Sequence, residues 1–155
     1  MRVVHYSNVF SAATETFTYD YVTKLNELGV DGHVVTTKQV NAETRPFKNV
    51  HVLPTTSAMH PARALDALLP HWSGTGRLHR RALTDALKHL KPDVVHAHFG
   101  PAGVTVIAAA AALDIPVVVT FHGFDISILP RQAKWQRRYA KLFEHNVFAT
   151  TVAEW

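Results

Sequence analysis

At residues 116–125 the chain carries the run PVVVTFHGFD, in which a Val-rich apolar segment ends at a histidine, a glycine and an acid. Short continuous apolar runs of this kind are typical of strands buried on both faces of a parallel sheet. A second run of the same design, DVVHAHFG, lies at residues 93–100. Because ligands bind outside the carboxyl ends of the strands in open α/β sheets, the two runs predict a binding site at that edge.

Strand-like and helical patterns alternate along the rest of the chain. The predicted strands are Arg2–Tyr6, His33–Thr37, Val50–Leu53, Val94–Phe99, Val117–Phe121 and Asn146–Thr151. The predicted helices are Glu15–Leu28 with its end at Gly29, Arg77–Leu90, Ala102–Leu113 and, within the irregular segment Thr55–Gly76, Pro61–Leu69. We therefore expect one α/β domain over residues 1–155, a doubly wound, mostly parallel sheet with helices on both faces, as in Rossmann-like domains.

The composition excludes several classes of protein. The 155 residues are 47% hydrophobic and 18% charged, which indicates a globular domain and not a disordered chain. No cysteine is present, so disulfides and thiolate metal sites are excluded and a cytoplasmic location is expected. No apolar run reaches the roughly 18 residues of a membrane span. The net charge of +4 favours an anionic partner.

The positive charge is concentrated in two segments, residues 77–91 and 131–141. In the second segment the basic residues share one face of a predicted helix, and they are Arg131, Lys134, Arg137, Arg138 and Lys141. Trp135 and Tyr139 beside them are residue types that favour membrane interfaces. Two interpretations stay open: a solvated helix packed on the sheet, or a surface that attaches peripherally to anionic lipid.

The loop after the first strand, residues 7–16, reads SNVFSAATET. It leads into a helix for which Thr14 is the predicted N-cap, and a helix N-terminus can bind an anion through its free amides. The loop contains no glycine, which disfavours the dinucleotide-binding fingerprint. The alternative is a polar loop with a good helix cap and no ligand.

His96 and His98 are two residues apart on a predicted strand, so both rings lie on the same face of the sheet. Three roles stay open for this pair: contact with a polar substrate, packing in the core, or metal ligation. A metal site would need a third ligand, which His122 or Asp125 could supply. A metal-dependent hydrolase using His96, His98 and His122 is therefore one alternative function.

The segment His122–Asp125 follows directly from the predicted strand Val117–Phe121. Its strand delivers His122 to the carboxyl edge of the sheet, and Gly123 allows a ligand or a neighbouring backbone to come close. Asp125 can cap the segment that follows or orient the imidazole of His122. The alternative is an ordinary turn that happens to contain a histidine.

Three of these segments together resemble family 4 glycosyltransferases of the GT-B architecture, in their N-terminal domain. They are SAATETF at residues 11–17, PDVVHAHFG at 92–100 and VVTFHGFD at 118–125. The first is similar to the Ser-Glu-Thr-Phe opening of the members that build exopolysaccharides, with Ala12-Ala13 where other members have Gly-Gly. The resemblance runs in order over essentially the whole chain.

The resemblance implies a transferase that moves a sugar from a nucleotide-sugar donor to a glycan or lipid-linked acceptor, usually with retention of configuration. It implies that His122 is the catalytic residue that orients and polarises the reacting groups beside the transferring sugar. The same resemblance implies a substrate-binding set made of the first loop and the two strand ends, namely Ser11, Thr14, Glu15, Thr16, His96, His98, Gly100, Gly123 and Asp125.

The resemblance also implies that the C-terminal, donor-binding domain of such an enzyme is absent from this chain, which breaks off where a helix opens, at residues 152–155. The isolated domain is then expected to be inactive. No metal and no cofactor are expected, because basic side chains and helix N-termini stabilise the departing diphosphate in GT-B enzymes. No nucleic acid partner is expected, and the alternative to an enzyme is a stand-alone module that binds an anionic sugar or nucleotide.

Overall fold

The computed structural model describes residues 1–54 and 71–152 of the chain. The strands are β1 (Arg2–Phe10), β2 (Asp31–Gln39), β3 (Val50–Val52), β4 (Val94–His98), β5 (Val117–Phe121) and β6 (Val147–Thr151). The helices are α1 (Thr16–Glu27), α2 (Arg77–Leu90), α3 (Gly100–Ala111), α4 (Phe124–Ser127) and α5 (Ala133–Leu142), with a short 3-10 helix at Leu129–Arg131. The predicted helix Pro61–Leu69 lies outside the described residues.

All six strands run parallel in one sheet with the order β3-β2-β1-β4-β5-β6. This is the strand order of a Rossmann-like domain, in which the chain passes from β3 at one edge to β4 beside β1, so that the strand order reverses between β1 and β4. The predicted doubly wound α/β fold is confirmed. The register places His5 of β1 directly opposite His96 of β4, at the point where the strand order reverses.

One face of the sheet carries the larger apolar core. The inward residues of the central strands, such as Val4, Val95 and Val119, pack against α2, α3 and α5 on this face. The small-residue helix α3 comes close to the sheet, and a Cβ at Gly103 would lie 2.7 Å from a methyl group of Val119. This close packing explains the Ala- and Gly-rich sequence of α3. The helix begins at Gly100, two residues before its predicted start.

The opposite face is covered by α1, and its apolar cluster is small, with Phe10, Val22 and Val34 at its centre. Helix α1 ends as predicted at Gly29, which takes a positive φ of 88° and donates its N–H to the carbonyl of Asn26. The predicted cap at Thr14 is wrong. Glu15 occupies the N-cap position, and no side chain makes a capping hydrogen bond there.

Helix α5 differs from the prediction in where its aromatic residues lie. Tyr139 is buried, and its hydroxyl donates to the backbone carbonyl of Asp125, while Trp135 packs against the larger core. The two aromatics therefore contribute to the core and not to a membrane-facing surface. Within the described ranges, no helix is long and apolar enough to cross a membrane.

Candidate functional site

A cavity of about 370 Å³ opens over the α1 face of β4, β5 and β6. It contains three of the residues singled out from the sequence, His96, His98 and His122. Its walls are apolar rings from α1 and hydroxyls from the outer strands, and the other lining residues are Phe17, Tyr21, Thr120, Thr150, Thr151 and Val152. A largely apolar pocket with a few convergent polar groups is the usual form of a small-molecule site.

His122 lies at the mouth of β5 with its imidazole between two phenyl rings. The centroid of that imidazole is 4.5 Å from that of Phe17 and 4.4 Å from that of Phe99. Burial lowers the pKa of His122, and the nearby negative charge of Asp125 raises it in part. Its Nε2 atom is buried and has no hydrogen-bond partner among the residues that the structure describes. The ring is therefore held in place with one polar atom free for a ligand.

Phe99 reaches this position through an unusual backbone. Its φ is 77° and its ψ is 145°, a region in which side chains other than hydrogen are crowded. The amide of Phe99 donates to the carbonyl of Thr120, and its carbonyl accepts from Ala102 and Gly103 at the start of α3. These three bonds hold the strained residue, and the strain lies directly beside His122.

Asp125 joins the ends of the two central strands. The residue is 2% exposed, and its carboxylate oxygens accept hydrogen bonds from the backbone N–H of His122, at 2.8 Å, and of Gly100, at 2.7 Å. Asp125 thus fixes the loop that carries His122 through the main chain. Gly123 has a φ of 104°, so glycine is needed there for the backbone conformation.

His96 and His98 lie on one face as predicted, and the structure adds a third histidine, His5, from β1. His5 Nδ1 is 3.3 Å from His98 Nε2, and the ligand atoms of the three rings lie within 4.8 Å of one another. His96 Nε2 is 2.7 Å from the hydroxyl of Thr120, which in turn is 2.7 Å from the hydroxyl of Thr150. Polar side chains from β1, β4, β5 and β6 therefore lie next to one another across the sheet.

These three rings are held in the neutral form by their surroundings. Burial, followed by the neighbouring His96, lowers the pKa of His5 to about 3. Burial, followed by the neighbouring His122, lowers the pKa of His96 to about 4. The pKa of His98 is well below the usual range for the same reason, burial first and then the other three histidines. Neutral imidazoles have a free ring nitrogen that can accept a hydrogen bond or bind a metal ion.

A second cavity, of about 310 Å³, lies at the tips of β1 and β4 and includes Glu15, His98 and Asp125. Partial burial raises the pKa of the Glu15 carboxyl. This cavity and the first share His98, so the predicted first loop and the predicted strand ends do meet at one edge of the sheet.

The remaining predicted site residues line neither cavity. Ser11 is buried with a φ of 66°, and its carbonyl accepts from Asn41. Thr14 is exposed beside the loop, and Thr16 is the first residue of α1. Gly100 faces the larger core, where an added Cβ would overlap Tyr139 and Phe121. Close packing therefore explains why residue 100 is a glycine.

The five basic residues predicted on one helix face do not all lie on α5, since Arg131 ends the 3-10 helix before it. Arg131, Lys134, Arg137 and Lys141 are exposed to solvent. Arg138 is half-buried: its Nε donates to the carbonyl of Trp72 and its guanidinium stacks over the Trp135 ring at 5.0 Å. Arg138 therefore fastens α5 to the segment before α2.

Five residues at the site were not predicted as site residues from the sequence, namely His5, Phe17, Tyr21, Phe99 and Thr120. His5 lies within the predicted first strand, and its position on the same face as His96 follows from the pairing of β1 with β4. Phe17 and Tyr21 are one helical turn apart, and their shared face lies over the histidines. The polar residues His5 and Ser7 alternate along an otherwise apolar strand, and this pattern could have pointed to a polar face.

Comparison with known proteins defines the class of this domain. The model of the family described as "Glycosyl transferase 4-like domain" matches residues 13–152, which is most of the chain. The fold is that of one half of a GT-B enzyme, and the chain belongs to the glycosyl transferase 4-like family. The predicted family and fold are thereby confirmed.

Three similar proteins are each much longer than the part that matches this chain. TuaC of Bacillus subtilis (strain 168), named for a glycosyltransferase role in teichuronic acid biosynthesis, is 37% identical over 62 residues, covering 36% of this chain and 16% of that protein. UDP-N-acetylglucosamine 2-epimerase from Rickettsia bellii matches 99% of the chain and 39% of its own, at 15% identity with a TM-score of 0.62. MurG of Acinetobacter baumannii matches 99% and 46%, at 13% identity with a TM-score of 0.58. The chain thus spans less than half the length of these relatives.

None of these comparisons supports the metal-dependent hydrolase interpretation. The family and TuaC both point to glycosyl transfer, while the two structural neighbours, at their low identities, show the fold alone. The geometry adds a reason, because His5 and not His122 is the third member of the cluster that contains His96 and His98.

Proposed function

We propose that this chain is the acceptor-binding half of a retaining glycosyltransferase, and that the nucleotide-sugar donor is bound by a second domain outside the 155 residues. The observation that carries the proposal is the cavity containing His96, His98 and His122 at the carboxyl edge of the central strands. Membership of the glycosyl transferase 4-like family and the similarity to TuaC support it. Alone, the domain then binds acceptor but transfers no sugar.

The cavity has the chemistry of a glycan site. Phe17 and Tyr21 offer ring faces and edges on which the apolar side of a sugar can pack, and the histidines and threonines offer hydrogen bonds to its hydroxyls. The acceptor is therefore a hydroxylated molecule, and we propose a growing exopolysaccharide or a lipid-linked oligosaccharide. The teichuronic acid role in the name of TuaC favours a cell-envelope glycan of this kind.

The transfer forms a bond between the acceptor hydroxyl oxygen and the anomeric carbon, and breaks the bond between that carbon and the donor diphosphate. In a retaining reaction the diphosphate leaves from the face that the acceptor enters, so a diphosphate oxygen can take the proton. His122, whose pKa is lowered, is neutral at pH 7 and can donate or accept one hydrogen bond there. Its role is to orient the reacting groups, with Phe17, Phe99 and the Asp125 clamp fixing the ring.

The test uses the complete enzyme and a panel of nucleotide sugars, with membrane extract as the source of acceptor. Release of nucleoside diphosphate that depends on acceptor is expected for one donor, and His122→Ala should lower kcat by about 100-fold or more. His89→Ala, on an exposed histidine of α2, is the matched control and should retain full activity. No transfer from any donor by the wild-type enzyme would refute the proposal, and acceptor binding without transfer would favour a binding module.

We also propose that the exposed basic face of α5 attaches the enzyme to the cytoplasmic surface of an anionic membrane, where a lipid-linked acceptor is held. Three exposed basic side chains lie on that face, Lys134, Arg137 and Lys141, and each contributes about 1 kcal/mol near an anionic lipid surface. Trp135 and Tyr139 take no part, since both pack inward.

Flotation with vesicles of phosphatidylglycerol and phosphatidylcholine tests the attachment. Arg137→Glu/Lys141→Glu should lower the bound fraction about tenfold at low salt. Lys38→Glu/Lys88→Glu makes the same change in net charge at exposed positions elsewhere and should bind like the wild type. Equal losses in the two variants would show an effect of net charge alone, and equal flotation of all three proteins would refute the attachment.

A further inference from the structure

Three buried histidines on the neighbouring strands β1 and β4 form a cluster, of which His96 and His98 also line the acceptor cavity and His5 does not. His5, His96 and His98 are 1%, 6% and 2% exposed, and all three project from the same face of the sheet. Their ligand atoms lie within 4.8 Å of one another. The edge of the Tyr21 ring packs against all three, with centroid distances of 5.3 to 6.1 Å.

The spacing of the rings matches the geometry of a tetrahedral metal. Two imidazole nitrogens bound to Zn²⁺ at about 2.0–2.1 Å are about 3.3–3.4 Å apart when the coordination is tetrahedral. His5 Nδ1 and His98 Nε2 are 3.3 Å apart. The interplanar angle of 29° between the two rings lets both nitrogens point to one side.

The third ring has a partner that would fix it as a ligand. His96 Nε2 is bonded to the hydroxyl of Thr120, which leaves Nδ1 as the ring nitrogen free to bind an ion. A metal-bound histidine usually donates its other N–H to an oxygen, and that bond sets the tautomer and orientation of the ring. The hydroxyl of Thr120 is also bonded to that of Thr150 on β6, so a further strand supports the orientation of the His96 ring.

His5 has one polar contact within the described part of the chain. Its Nδ1 meets His98 Nε2, and its Nε2 is buried and has no hydrogen-bond partner. The geometry therefore points to Nδ1 as the nitrogen of His5 that would bind an ion, with the proton on Nε2.

We propose that His5, His96 and His98 form a binding site for one divalent transition metal ion, Zn²⁺ being the best fit. Three nitrogen ligands and no carboxylate, among the residues described, favour zinc, copper or nickel over magnesium or calcium. The ion enters through the cavity that His96 and His98 line, and it joins β1 to β4 beneath the acceptor site. This site goes beyond the proposed function, since no step of the transfer is routed through the metal.

Metal binding to the purified chain tests the proposal directly. After removal of metals with a chelator, titration with Zn²⁺ should give one tight equivalent, and Co²⁺ should give the intense visible bands of a four- or five-coordinate ion. His98→Asn should weaken Zn²⁺ binding by about 100-fold or more. Thr120→Val removes the hydroxyl bonded to His96 and to Thr150 but no ligand atom, and should weaken binding by about 10-fold. Far-UV circular dichroism verifies that each variant is folded, and if His98→Asn is not, Thr120→Val and the Co²⁺ spectrum decide.

The chain contains 11 histidines, so a surface site is the main competing result. The matched control is His51→Asn, which removes one ring of the pair formed by His33 and His51 and should leave the tight equivalent unchanged. Loss of binding in His51→Asn but not in His98→Asn would overturn the proposal, as would the weak spectrum of six-coordinate Co²⁺ or the absence of a tight equivalent. Transfer activity of the chelator-treated enzyme is a separate measurement and tests only the proposed function.

Discussion

Two pairs of stacked histidines lie on opposite faces of the same sheet, and their surroundings differ. The rings of His5 and His98 and those of His33 and His51 both meet at an interplanar angle of 29°. Their closest nitrogens are 3.3 Å apart in the first pair and 3.0 Å apart in the second. The first pair joins β1 to β4 on the α1 face, and the second joins β2 to β3 on the opposite face.

The second pair has a charged neighbour and is partly open to water. His33 Nε2 is 3.3 Å from a carboxylate oxygen of Asp31, and Asp31 also pairs with Arg2 at 2.6 Å. The first pair is buried, and the rings of His96, His122 and Tyr21 lie around it. The same type of pair is thus a partly solvated contact beside an ion pair in one place and a buried polar group beside a cavity in the other.

The largest expected difference between the two pairs is in the pH dependence of stability. The folded pKa of His5 and His96 is lowered below the unfolded value, so their contribution is complete above pH 6.5 and is lost as the pH falls toward 4. Each ring that stays neutral in the folded state lowers the free energy of unfolding by about 2 kcal/mol between pH 7.5 and pH 5. Urea denaturation in a chelator-containing buffer should show this loss.

His5→Asn/His98→Asn removes two of the buried rings and should flatten that pH profile. His33→Asn/His51→Asn should flatten it less, because burial lowers the pKa of His51 but leaves that ring partly exposed. The reverse order would contradict the burial argument for the first pair.

The next largest effect separates two aspartates. Asp125→Ala leaves the buried amides of His122 and Gly100 without an acceptor, and should lower the free energy of unfolding by about 3 kcal/mol. Asp31, whose side chain is 46% exposed, also bonds Arg2 and His33, yet water can replace it, so Asp31→Ala should shift the urea midpoint far less. Similar midpoints for the two variants would show that the Asp125 clamp is not rigid.

The smallest effect compares two tyrosine hydroxyls. Tyr139 donates to the carbonyl of Asp125 from within the core, and Tyr139→Phe should cost about 1 kcal/mol of unfolding free energy. Tyr19 donates to the carbonyl of Pro46 at an exposed site, and Tyr19→Phe should have no measurable cost. Thermal unfolding of the two variants measures the difference, and a larger loss for Tyr19→Phe would contradict it.

The fold could be predicted from the sequence to a greater extent than the site. The continuous Val-rich runs marked β4 and β5, and the histidines that end them do lie together at one edge. His5 could not be placed in the same way, because the pairing of β1 with β4 depends on the strand order, which local patterns do not contain.

The other predictions that the structure corrects concern residues on or next to helices. Spacing alone grouped Arg138 with the exposed basic residues, although it is drawn inward by the Trp72 carbonyl and the Trp135 ring. Likewise, residue type indicated a cap at Thr14, while the chain places Glu15 at that position. In both cases a tertiary contact or a shift of one residue outweighed the local preference.

The backbone of Phe99 has a consequence for any attempt to improve this protein by selection. A conformation of this kind costs about 1–3 kcal/mol in a residue with a side chain, and glycine would adopt it without that cost. A screen for thermal stability alone would therefore tend to accept Phe99→Gly, which removes one of the two rings that hold His122. Selection for stability thus favours glycine at position 99, whereas selection for activity favours phenylalanine. A library designed for both properties should keep Phe99 fixed.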